Sequence, residues 1–288
     1  MDVPRLPSDL RLEDLTSNNP QMQRCLTLAT EAARSRLPIL LLGESGTGKT
    51  LLAHAIHNSS TRRDAPFISF NASAMSDTLL ESQLFGHEKG AFTGAAQALR
   101  GKFEMADNGS LFFDEIADMS PAAQAKILRA VEYGEFERLG SEITMHADVR
   151  IISATNKSLR RLAIDGLFRE DLYHRLNGIT LLIPPLRKRP EDLPGLIASE
   201  FQAVAHSYEK DLSGIDPAAF RKLIDYLWPG NLRELHRVAQ TAVLFARGDT
   251  VQPDDVVFDE EMFDEDLSLA ARFRQEKAVS DPAPEPEE

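Results

Sequence analysis

A chain of 288 residues, 42% hydrophobic and 27% charged, is long enough to bury the core of one large domain and a smaller one. A net charge of −13, a single cysteine and no apolar run near the ~20 residues of a bilayer span exclude a basic DNA-wrapping protein, an internal disulfide framework and a helical membrane anchor. The acidity is local: 13 acidic and 3 basic residues between Val251 and Glu288 give −10, leaving −3 for the other 250 residues.

Residues 1–13 contain proline and no periodicity and read as a leader. The N-terminus has no signal-peptide apolar core, so a reducing cytoplasm is expected. Asn19-Pro20 reads as an N-cap followed by a first-turn proline, opening a helix to about residue 36. Cys25 shares a face with Met22, Leu26 and Ala29, which predicts a small buried hydrophobe. Five apolar runs of strand length follow at 39–42, 67–70, 110–113, 149–153 and 179–183. Helical segments separate them, among them 49–57 and 120–132, the latter with a Ser-Pro start. Strands apolar throughout, interleaved with helices, predict an α/β domain over 14–185, with a five-stranded parallel sheet covered on both faces.

Pro184-Pro185 ends that pattern. Residues 186–258 read as a small helical domain without strands, with helices at 191–208, 217–227 and 231–246. Residues 259–288 are acidic and expected to be disordered, with one short helical candidate at 267–278.

The residues that carry chemistry fall at strand ends. Gly43-Glu44-Ser45-Gly46-Thr47-Gly48-Lys49-Thr50 matches the P-loop pattern in full, after an apolar strand and before a helix. Its glycines let backbone N–H groups wrap phosphates, and the helix N-terminus adds partial positive charge. Lys49 is expected to reach the β- and γ-phosphates of ATP, and Thr50 to bind Mg²⁺. Asp114-Glu115 ends the run from Ser110, and two carboxylates closing a buried strand are costly unless used there. Asp114 is the expected second Mg²⁺ partner and Glu115 the base that orients water, although acids also favour helix starts. Asn156 and Asn71 each follow a strand. Asn156 could contact phosphate or water and Asn71 could hydrogen-bond Glu115, or either could simply form a turn.

Arg169 and Arg175 lie six residues apart, on different faces of a straight helix. Both can serve one phosphate only if the helix starts or bends between them; otherwise they form surface ion pairs with Glu170 and Asp171. Trp228-Pro-Gly-Asn231-Leu-Arg233-Glu234 reads as a turn and then an Asn N-cap with Glu234 in the capping-box position. Arg233 is thereby held in a first helical turn.

The segment Gly90-Ala91-Phe92-Thr93-Gly94-Ala95 places one aromatic and one hydroxyl between glycines, a loop that can be presented and re-aimed. The plainer reading is a turn with a partly buried Phe92. Together these residues resemble the central AAA+ domain of bacterial sigma-54-dependent transcription activators, over about 14–250. The stretch from Glu81 to Ala95 is the most specific part, departing from the usual pattern at Gln83, where Glu is common; Phe113 likewise stands where Leu is common. The resemblance implies a homo-oligomeric ring, usually a hexamer, with ATP sites between subunits and a helical lid. It implies Lys49, Thr50, Asp114 and Glu115 as the hydrolytic set, and Asn71 as a switch on Glu115. Asn156 and Arg233 would be sensors, and Arg169 and Arg175 would enter the neighbour's site. Residues Gly90 to Ala95 would touch sigma-54 in the RNA polymerase holoenzyme, supported by the loop around Glu137-Arg138-Leu139.

Most members of that family also carry a receiver or sensor domain and a helix-turn-helix. The dozen residues before 14 and the acidic stretch after Asp249 match neither, so the sequence is read as acting from solution, as brought to DNA by a DNA-binding or regulatory partner, or as a piece of something longer. An AAA+ remodeller of another protein, or a ring-regulatory subunit, is the alternative function.

Overall fold

In the computed structural model the described residues are 9–73 and 75–258. The chain divides into two compact units, residues up to 192 with 230–232, and 193–229 with 233 onward. The candidates at 259–288, including the helix at 267–278, lie outside the described residues.

The first unit is built on five strands, β1 (Ile39–Leu42), β2 (Phe67–Asn71), β3 (Ser110–Asp114), β4 (Arg150–Thr155) and β5 (Ile179–Leu182). Their order is β2-β3-β4-β1-β5, and every pairing is parallel. This is the sheet the apolar runs predict. Alternate side chains feed opposite layers. Leu40, Phe70, Leu111 and Phe113 enter one core, while Ile39, Leu41, Phe112 and Ile152 enter the other.

Helix α1 (Pro20–Ala33) starts as expected, with the Asn19 carboxamide accepting from Gln21 N and Met22 N at 3.1 Å each. Cys25 is buried against this layer and burial pushes its thiol up to about 11, so it is an inert hydrophobe. Helix α2 (Lys49–Asn58) follows β1, α3 is Asp77–Phe85, and α4 (Pro121–Tyr133) begins at Ser120, whose hydroxyl accepts from Ala123 N. Two hairpins too short for a sequence pattern stand beside this layer: Gly86–His87 with Leu99–Arg100, and Glu135–Glu137 with Thr144–His146. Past Pro184-Pro185 the unit continues to Asp192, whose carboxylate accepts from Ser17 Oγ and Asn18 N at 2.6 Å each.

His57 on α2 is 2% exposed, with Nδ1 2.9 Å from Ser110 Oγ and Nε2 3.2 Å from Ala65 O. Burial holds its imidazole below the usual range, and His54 is lowered for the same reason. The unfolded imidazoles titrate near 6.5, so the unfolded chain binds more protons as pH falls through that value. Stability is therefore full above about pH 6.5 and declines below it. The melting temperature is expected to drop between pH 7.5 and 5.5, and His57→Gln to flatten the drop. Equal slopes in the two proteins would remove His57 from this account.

The second unit contains α5 (Leu193–Ser207), α6 (Pro217–Asp225) and the body of α7 (Asn231–Phe245). Trp228 is fully buried, with Nε1 donating to Leu223 O at 3.0 Å and its ring edge-on to Tyr226 and Phe258. Lys210 Nζ donates to Val243 O, Leu244 O and Ala246 O, satisfying carbonyls at the end of α7. The expectation of a strand-free unit is corrected by one short parallel pair, Gly214–Ile215 with Thr250–Val251. Two residues a side carry no readable alternation.

Candidate functional site

Parallel strands bring their carboxyl ends to one edge of the sheet, where open α/β sheets bind ligands. The P-loop leaves β1, Asp114-Glu115 close β3, Asn156 follows β4, and Asn71 ends β2 in register with Asp114. Gly43 N donates to Thr155 O at 3.3 Å, joining the start of the P-loop to the strand that carries Asn156.

Within the loop, Lys49 is 6% exposed and its Nζ donates to Gly43 O (2.9 Å) and Glu44 O (3.1 Å). Thr47 Oγ1 also donates to Glu44 O, at 2.9 Å. The Glu44 carboxylate takes a two-pronged ion pair from Arg187, at 2.6 and 2.5 Å, and the Arg187 hydrogen bonds hold it below the usual carboxylate range. Arg187 escaped sequence reading because nothing local ties it to a residue so far upstream.

Glu115 has φ 52°, a left-handed backbone that a non-glycine residue adopts at a cost of order 1–3 kcal/mol. Its N–H donates to Asp114 Oδ1 at 3.1 Å. Lys157 stands nearby: Asp118 accepts from its Nζ at 2.6 Å, and that hydrogen bond, then the charge of Asp118 and more weakly that of Glu115, hold its pKa up.

Asn71 takes the turn-forming alternative in this conformation. Its Oδ1 accepts from Ser73 N (2.8 Å) and Ser73 Oγ (2.6 Å). Its Nδ2, the group able to donate to a carboxylate such as Glu115, takes no part in that turn. Asn156 is exposed at the strand end.

The arginine pair meets the geometric condition set by its spacing. The helix Glu170–Leu176 begins immediately after Arg169, which is extended at φ −70°, ψ 132°. Arg169 pairs with Asp171 through two bonds of 3.0 and 2.7 Å, while Arg175 Nη2 donates to Glu132 O at 3.0 Å near the end of α4. Both side chains are exposed in the single chain. Arg233 lies on α7 in the second unit.

The loop 90–95 projects between the strands Gly86–His87 and Leu99–Arg100 and closes on itself. Gly90 N donates to Ala95 O at 2.9 Å and Ala95 N to Phe92 O at 3.0 Å. Gly90 and Gly94 have φ of 84° and 105°, and a Cβ on either would meet nothing within 4 Å, so glycine is needed there for backbone conformation alone. Phe92 is half-buried, edge-on to His87 at 5.0 Å, so the plainer reading of a partly buried Phe holds for this conformation.

The neighbouring loop is physically joined to this one. Glu88 N donates to Leu139 O and Leu139 N to Gly86 O, each at 3.0 Å. A Cβ on Gly140 would come within 2.8 Å of Ala91 Cβ. Arg138 bridges Glu88 (2.9 Å) and Glu104 (2.8 Å), which keeps the Glu104 carboxyl low despite its partial burial. A cleft of about 470 Å³ lies between the loops, with Phe85, Phe92, Phe136 and Arg138 in its wall.

Comparison with known proteins covers both units. The sigma-54 interaction domain matches residues 15–182, and an AAA+ ATPase lid domain matches 187–267. The Nif-specific regulatory protein of Klebsiella pneumoniae is 44% identical over 247 residues, 86% of this chain and 47% of that protein. The DNA-binding transcriptional regulator NtrC of Proteus hauseri is 41% identical over 254 residues, 88% of this chain and 54% of that one. The chain thus spans about half the length of the curated relatives it matches. Among solved structures, NtrX from Brucella abortus in complex with ATP superposes with a TM-score of 0.78 at 34% identity, over 84% of this chain and 54% of that one.

Proposed function

The chain belongs to the sigma-54 interaction domain family of AAA+ ATPases, and from that premise we propose that it activates transcription by using ATP hydrolysis to remodel the closed complex of sigma-54 RNA polymerase. The observation that carries this reading is the loop 90–95, closed on itself and hydrogen-bonded through its base to Leu139, in a chain with a complete P-loop and strand-end acid pair.

The residues present suit a magnesium nucleotide. A buried lysine and the loop N–H groups are anion donors, while the Thr50 hydroxyl and Asp114 carboxylate are the oxygen ligands a hard cation takes. Mg²⁺, when bound, neutralises charge on the phosphates. Gly43 to Gly48 wrap the phosphates, and Lys49 exchanges its loop carbonyls for phosphate oxygens. Glu115 orients and deprotonates the attacking water. Asn71 acts as a switch through its Nδ2, which can donate to the Glu115 carboxylate while Oδ1 keeps its bonds from Ser73, and Asn156 senses the γ-phosphate.

Arg169 and Arg175 serve the site of the next subunit in a homo-oligomeric ring, most simply a hexamer, and Arg233 acts as a second nucleotide sensor. The extended backbone at Arg169 supports this, because it frees that side chain from the helix carrying Arg175. A loop does work only if substrate and product states hold it differently. Residues Glu88, Glu104 and Arg138 join the loop base to the main unit, so the bridge is placed to convert phosphate state into height of the tip. The partner is then sigma-54 within the cytoplasmic holoenzyme.

Transcription in vitro by sigma-54 holoenzyme, with and without enhancer DNA, tests this. ATP-dependent open-complex formation is expected, with enhancer dependence showing whether a tether is used. ATP hydrolysis without open complexes at any protein concentration would leave the AAA+ remodeller of another protein as the function.

A further inference from the structure

Asn231 is completely buried and has φ 54°, a left-handed conformation at the first residue of α7. Asparagine tolerates that region better than most side chains, which explains the backbone but not the choice of a buried amide. The amide is used on both sides. Oδ1 accepts from Leu186 N at 2.7 Å, and Nδ2 donates to Ser45 O at 3.0 Å, with Glu44 Oε2 at 3.4 Å. The next residue adds a parallel bond, Leu232 N to Gly46 O at 3.0 Å. Residues 230–232 belong to the same compact unit as the P-loop.

Two successive carbonyls of the phosphate loop, those of Ser45 and Gly46, are thus held from one side. A trans peptide places its C=O and N–H on opposite edges of one plane. Fixing Ser45 O toward Asn231 therefore turns Gly46 N–H away from it, and fixing Gly46 O toward Leu232 N does the same for Thr47 N–H, which makes one long bond to Glu44 O at 3.4 Å that phosphate would replace. Those N–H groups belong to the segment that cradles phosphate. Arg187 holds the Glu44 side chain beside them, so the first half of the loop is braced at three consecutive residues.

We infer that Asn231 is a positioning residue of the nucleotide site, presetting the peptide planes of Ser45-Gly46 and Gly46-Thr47 so that the loop meets phosphate already oriented. The inference rests on the nucleotide-site reading and is independent of sigma-54. Its chemistry explains why the side chain is an amide. Aspartate at 231 could still accept from Leu186 N, but it would set a carboxylate against Ser45 O and the Glu44 carboxylate.

Two variants of the whole chain separate this role from mere support of the fold. Asn231→Gly keeps the left-handed backbone and deletes the amide; Asn231→Asp keeps shape and backbone preference and deletes only the donor. Binding of ADP is measured directly, with KM and kcat for ATP and the melting temperature without nucleotide. Both variants are expected to bind ADP about tenfold more weakly, the size of the one bond they both lose to the loop, Asn231 Nδ2 to Ser45 O. KM for ATP is expected to rise in step, with kcat falling less than about threefold, and Asp to do no better than Gly.

Parental ADP affinity in either folded variant overturns the inference. So does an aspartate that restores what glycine loses, because shape would then suffice. A lowered melting temperature with kcat and affinity falling together overturns it in favour of general support. If the glycine variant does not fold, the aspartate variant decides alone. A parent protein that bound no ADP would instead sink the nucleotide reading on which the inference stands.

Discussion

Glu115→Gln is expected to bind ATP like the parent and to hydrolyse it about 10²–10⁴ times more slowly, the usual worth of a positioned general base. The amide keeps the size of the side chain and leaves Asp114 and the loop N–H groups in place, so the ground state is retained. What it removes is the ability to take a proton from water as the nucleophile forms. The strained φ of 52° supports assigning the loss to Glu115 and not to its neighbour. Asp114, in register with Asn71, accepts its bond from Glu115 N, so the two acids have different environments. Single-turnover phosphate release with separately measured ATP binding is the test. A loss under tenfold would take the base role away from Glu115.

Phe92→Ala is expected to abolish sigma-54-dependent open-complex formation, whatever its rate of ATP turnover. The side chain contacts His87 and borders the cleft beside Arg138, whose wall contains no residue of the phosphate loop. Deleting it leaves the loop closure intact, because Gly90 N to Ala95 O and Ala95 N to Phe92 O are backbone bonds. A transcription assay and an ATPase assay on the same preparation separate the two functions. Retained activation would end the reading of 90–95 as the output of the cycle.

The sheet was legible because each buried strand is a short run of uninterrupted apolar residues bounded by turn formers. Ile39–Leu42 falls where the run falls, and the other four strands shift by a residue or two at their ends. The P-loop and the acid pair were legible for a related reason: their chemistry needs neighbours in sequence. Arg169 was legible as a condition, and the helix does begin between it and Arg175.

Other parts of the site depend on residues distant in the chain. Asn231 reads as an N-cap, and its bond to Ser45 O spans 186 residues, beyond any local pattern. The Arg138 bridge spans 50 residues to Glu88 and 34 to Glu104. Asn71 shows a choice made locally, a turn closed by Ser73 two positions away where the sequence allowed either a turn or a longer reach. Local competition between polar groups cannot be ranked without geometry.

The closed tip of the loop changes what a partner must overcome on contact. A floppy six-residue finger would lose backbone entropy on docking, on the order of 1–2 kcal/mol per ordered residue. Here the folding of the chain has already met that cost. What remains is to detach one aromatic ring from a histidine, about 0.5–1.5 kcal/mol for such a pair. On the reading proposed above, docking of Phe92 would therefore cost little beyond its release from His87.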